Sequence, residues 1–68
     1  MTIGEKIKEL RTERGLSQEG LARRIGVSQK AIDYWERGVN EPKASYIVAM
    51  CDFFDVSADE LLCRRGQM

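Results

Sequence analysis

Ile3, Ile7 and Leu10 recur at i, i+4 and i+7 with polar residues between them, the stripe of an amphipathic helix. Thr2, with Glu5 three residues later, forms a capping box ahead of that stripe, and Gly15 ends it. A second stripe of Leu21, Ala22 and Ile25 begins behind Ser17 as its cap and stops at Gly26 after about two turns. A third, Ile32 and Trp35, is capped by Ser28 and closed by Gly38. Val39, Asn40, Glu41 and Pro42 form a loop, with Pro42 suited to a first helical turn. Ala44, Ile47, Met50, Cys51 and Phe54 then repeat at three- and four-residue spacing, predicting a fourth helix to about Phe54 that ends at Asp55. Ser57 with Glu60 reads as a second capping box, opening a short fifth helix through Leu61 and Leu62. No period-two alternation predicts a strand, and there is no internal repeat. The expectation is an all-α, five-helix bundle: one domain over residues 1–63, followed by a frayed tail over 64–68.

Composition narrows the class. In 68 residues, 43% hydrophobic and 32% charged, there is room for one core and the balance of a folded domain, not of a disordered tail. No apolar run approaches the ~18 residues of a membrane span, and no signal peptide opens the sequence, so a cytoplasmic, nucleoid-associated location is expected. The two cysteines make no disulfide framework: Cys51 is expected in the core and Cys63 as a free thiol. With no histidine and no CxxC pair, neither a metal nor another cofactor is expected. There is also no nucleophile elbow and no phosphate loop, which argues against an enzyme, and no small-molecule ligand is evident.

The net charge of zero argues mildly against nucleic acid, but the charge is unevenly spread. Residues 1–43 hold nine Lys/Arg against seven Asp/Glu, and a docking partner feels the local field more than the sum. The informative stretch runs from Gln18 to Arg37. Two short helices flank the tight connection Gly26-Val27-Ser28, with small Ala22 where they approach and Leu21, Ile25, Val27, Ile32 and Trp35 between them. A small residue, then a turn glycine four later, with apolar residues at these offsets, is a helix-turn-helix pattern.

Over nearly its whole length the chain resembles the phage-repressor and Cro type of helix-turn-helix domain, the xenobiotic-response-element family. The resemblance is carried by Gly15-Leu16-Ser17-Gln18, Leu21-Ala22, Ile25-Gly26-Val27-Ser28-Gln29, Ile32, Trp35-Glu36-Arg37-Gly38, Pro42, Phe54-Asp55-Val56-Ser57 and Asp59-Glu60-Leu61-Leu62. It implies a reader helix at the third position, a transcriptional regulator, in particular a repressor, and a palindromic double-stranded DNA operator bound as a homodimer. Three features depart from the family pattern: Gly20 inside the second helix, Lys43 where a hydroxyl cap is common, and the pairing of Asp33 with Tyr34 on the reading face.

On the third helix Ile32, Trp35 and Glu36 face inward, whereas Lys30, Asp33, Tyr34 and Arg37 share the outward face. The resemblance places base contacts at Gln29, Lys30 and Tyr34. Gln29 suits adenine, Lys30 suits guanine O6 and N7, and Tyr34 suits a thymine methyl or donates its hydroxyl. Asp33, an acceptor only, suits a cytosine amino group or repels phosphate. Gln18 at a helix start, and Arg37, Asn40 and Lys43 around the following loop, are the expected phosphate contacts, with Arg23 a weaker candidate. Arg11 follows Ile7 at i+4 and Glu36 follows Ile32 in the same way. Two charges on inward stripes require pairing, so a buried Arg11–Glu36 salt bridge of structural role is expected. Trp35, Met50 and Phe54 are expected in the core, and Phe53 as an exposed or interface aromatic. The alternative function is a protein-interaction or antitoxin-type module, which the zero net charge and the more acidic second half would suit.

Overall fold

Each capping hydroxyl starts a helix where the sequence places it. A computed structural model describes residues 1–63, and among these lie α1 (Ile3–Glu13), α2 (Gln18–Ile25), α3 (Gln29–Arg37), α4 (Ala44–Phe54) and α5 (Ala58–Leu61). Thr2, Ser17, Ser28 and Ser57 each accept a hydrogen bond from the backbone N–H three residues on. Glu5 completes the box at α1 by accepting from the Thr2 N–H at 2.8 Å. That bond, together with the nearby N-terminal charge, holds the Glu5 carboxyl below its ordinary value. At α5 only half of the expected box forms, because the Glu60 carboxylate lies 3.9 Å from Lys6 Nζ of α1 instead of turning back to Ser57. The expected frayed tail over 64–68 lies outside the described residues.

The stripes converge as a single core. Ile7 and Leu10 of α1, Leu21 and Ala22 of α2, Ile32 and Trp35 of α3, Met50 and Phe54 of α4, and Leu61 of α5 are all buried. Ile3, Ile25, Val27 and Cys51 pack half-buried against them. Burial and the neighbouring Asp52 push the Cys51 thiol up from its ordinary value. Gly26 turns α2 into α3 with φ +88°, the left-handed region that a side chain disfavours.

Two further sequence expectations change. Pro42 does not stand in the first turn of α4: it is buried ahead of the helix, and Lys43 is the N-cap, with no side-chain bond to the exposed N–H groups. Phe53 is not an open aromatic. It packs edge-on to Phe54, and the guanidinium groups of Arg14 and Arg24 lie 5.8 and 5.7 Å from its ring centre. Arg14 also donates to the carbonyls of Phe53 and Phe54 at 3.3 and 2.7 Å, so the end of α1 satisfies carbonyls left open at the end of α4. Gly20 has a local reason. A Cβ there would meet the capping Ser17 Oγ at 3.3 Å and the Leu16 side chain at 3.4 Å.

Candidate nucleic-acid interface

The orientation of α3 follows from its oily side. Ile32 is 0% and Trp35 5% exposed, and the Trp35 ring lies 5.7 Å from that of Tyr46 on α4. With those two residues seated, Gln29, Lys30 and Arg37 are exposed and Asp33 and Tyr34 half-buried on the other side. No other element of the described chain covers Gln29 or Lys30.

Behind that face a buried pair ties α3 to α1. Arg11 Nε lies 2.7 Å from Glu36 Oε2 and Nη2 donates to Oε1 at 3.1 Å, with the side chains only 11% and 4% exposed. Arg11 Nη1 donates to the Leu16 carbonyl at 2.8 Å. The two-pronged geometry and the extra acceptor supply the bonds that buried charges require.

Most of the sequence-predicted site residues gather into one network, and its hub is Gln18. Gln18 Nε2 donates to Glu36 Oε1 at 3.0 Å and to Asp33 Oδ1 at 3.3 Å, while its Oε1 accepts from Gln29 Nε2. Arg37 Nε pairs with Asp33 Oδ2 at 3.0 Å, one helical turn away, and its guanidinium lies 5.4 Å from the Tyr34 ring centre. Both Asp33 oxygens therefore face neighbours in the protein. Asn40 borders a shallow crevice with Arg37 and the first turn of α1. Among the described residues, no hydrogen bond or ion pair joins Lys30 or Lys43 to this network, and Arg23 pairs only with Glu19 on an open face, at 3.6 Å.

Sequence reasoning singled out Gln18 only as a phosphate contact and missed its role as the hub. The Asp33–Arg37 pair is legible as an i, i+4 spacing, but the Gln18 contacts cross the turn and exist only once α2 and α3 dock. It also missed Gly4, which is buried against α3.

The helix-turn-helix family model matches residues 7–61. The HTH-type transcriptional activator BcrR of Enterococcus faecalis is 42% identical over 62 residues, covering 91% of this chain but 30% of that protein. An uncharacterized HTH-type transcriptional regulator of Bacillus subtilis (strain 168), YazB, is 38% identical over 58 residues, 85% of this chain and 84% of that one. The chain thus spans less than a third of the first relative and most of the second. Among solved structures, the P22 c2 repressor in complex with synthetic operator 9T superposes with a TM-score of 0.86 at 34% identity, over 91% of this chain and 94% of that chain.

Proposed function

The chain belongs to the helix-turn-helix family of transcription regulators, and on that premise we propose that it binds double-stranded DNA sequence-specifically, with α3 in the major groove. One observation carries the reading. α3 is docked through Ile32 and Trp35, and the side chains left on its other side, Gln29, Lys30, Asp33, Tyr34 and Arg37, all carry hydrogen-bonding groups, two of them cationic and one anionic. Gln29, Lys30 and Tyr34 are the base contacts, and Asp33, already bound to Gln18 and Arg37, stands among them. Gln18, Arg37, Asn40 and Lys43 grip phosphates on either side and set the register. The described residues include no helix long and apolar enough to cross a membrane, and regulation of transcription places the chain in the cytoplasm.

The operator is a palindrome read by a homodimer, with two copies of α3 about 34 Å apart in successive groove turns, because one small module covers too little DNA for a long-lived complex. The regulatory outcome is repression by occupancy, supported by the likeness to the P22 c2 repressor in complex with synthetic operator 9T. Selection of bound duplexes from a random pool tests this reading. An enriched, two-fold symmetric motif is expected, and absence of any enriched motif at low salt removes it. Alanine at Gln29, Lys30 or Tyr34 relaxes preference at one or two base pairs, whereas Arg37→Gln weakens binding to all sequences and lowers the salt slope by about one.

A further inference from the structure

Three side chains on the outer side of α3 are joined at i, i+1 and i+4. Arg37 Nε donates to Asp33 Oδ2 at 3.0 Å, and the guanidinium lies 5.4 Å from the centre of the Tyr34 ring. The other Asp33 oxygen, Oδ1, accepts from Gln18 Nε2 at 3.3 Å, so the carboxylate is held at both ends. Arginine carries its five N–H groups in a rigid fork. Asp33 takes the one on Nε, and among the described residues no other hydrogen bond or ion pair engages Arg37. The N–H groups on Nη1 and Nη2 remain, at the end of the fork that matches two phosphate oxygens.

By charge alone, a carboxylate among phosphate-binding groups repels the DNA backbone. The placement of this pair argues for the opposite effect. The Asp33 side chain is 32% exposed and that of Arg37 59%, so the cation is the outer member and the anion lies behind it. An approaching phosphate meets the guanidinium first. A free arginine samples many rotamers, and fixing one of them on binding lowers affinity. Here Asp33 and Tyr34 fix it beforehand. An exposed i, i+4 ion pair favours its paired state by about twofold, and an exposed cation–π contact adds about two- to fivefold.

Building on the reading that Arg37 grips a phosphate, we propose that Asp33 is a positioning residue for DNA binding: it aims the Arg37 fork at the backbone, so that removing this negative charge weakens binding. Its effect falls on every DNA sequence alike, because it acts through a phosphate contact.

A double-variant cycle on the full chain tests this, with titrations on the selected duplex and on a random duplex. Asp33→Ala is expected to weaken binding about three- to tenfold on both, against the direction that loss of a negative charge gives by itself. In the Arg37→Gln background no guanidinium is left to aim. There the same change is expected to leave affinity as it is or to tighten it by up to about threefold, since only the repulsion is removed. Asp33→Glu keeps a carboxylate at i, i+4 and should restore binding to within about twofold. A further measurement needs no DNA: the Arg37 Nε–H exchanges slowly with water by NMR in the unaltered chain and rapidly in Asp33→Ala. If Asp33→Ala leaves affinity unchanged or tightens it in both backgrounds, the carboxylate is only a repulsive charge and the proposal is overturned. Equal weakening in both backgrounds, or a loss confined to one base pair, also overturns it, because Asp33 then acts without Arg37. If Arg37→Gln alone changes nothing, the proposal falls while DNA recognition by α3 stands. If neither duplex is bound at low salt, the functional reading falls, and the proposal with it.

Discussion

Gly4 lies with its bare Cα against the backbone carbonyl of Trp35. A Cβ at this position would overlap that oxygen and lie 2.9 Å from the carbonyl oxygen of Glu36. Both oxygens belong to the last turn of α3, whose backbone is pinned by the buried Trp35 side chain and by the Gly38 N–H bond to the Trp35 carbonyl. Gly4→Ala should therefore destabilise the fold by about 1–3 kcal/mol despite alanine's better helix propensity, because overpacking against backbone outweighs it. The urea midpoint reports this directly, and an unchanged or raised midpoint contradicts the close approach of α1 to α3.

The Arg11–Glu36 pair should behave as a unit. Arg11→Met strands a buried carboxylate and should cost about 3–5 kcal/mol, enough to unfold much of a domain of this size. Arg11→Met combined with Glu36→Leu should recover most of that loss, since neither charge is then left without its partner. Single variants that each cost under about 1 kcal/mol in chemical denaturation would show the pair to be solvated.

Lys43 sets stability against binding. It occupies the N-cap of α4 with no side-chain bond to the N–H groups of the first turn. Lys43→Ser supplies the missing acceptor and should stabilise the chain by about 1 kcal/mol, visible as a raised thermal midpoint. The same change removes a cation from the proposed phosphate-gripping loop, so affinity should fall on specific and random duplexes alike. A variant that gains stability and keeps its salt slope would take Lys43 out of the interface.

Acid should loosen the start of α1 first. The bond from the Thr2 N–H, followed by the N-terminal charge, holds Glu5 below its ordinary value of 4.5. A carboxyl whose folded value is depressed contributes stability above its unfolded value and loses it as pH falls through the folded one. Amide exchange at Glu5 and Lys6 should therefore accelerate as pH drops below about 4.5, beyond the intrinsic pH dependence of exchange. In Glu5→Gln that extra acceleration should vanish. If it persists, the capping box is not its source.

The one-dimensional pattern determined the helices and their ends, because caps, stripes and turn residues act within a few positions of one another: Ser17, Ser28 and Ser57 each cap the helix their spacing announces. It also singled out Arg11 and Glu36, since a charge on an apolar stripe is conspicuous in any frame. Where the pattern erred, the cause was tertiary. Pro42 was drawn out of α4 into a buried position before it, and Phe53 was covered by Arg14 and Arg24 from elements distant in the sequence. Only docking of α2 on α3 could bring Gln18 between Gln29 and Glu36, and only docking of α1 on α3 could make Gly4 irreplaceable. Local hydrogen bonding is written in the spacing of neighbours, whereas the polarity of a side-chain network depends on which helix surfaces meet, and that is decided by how the core fills.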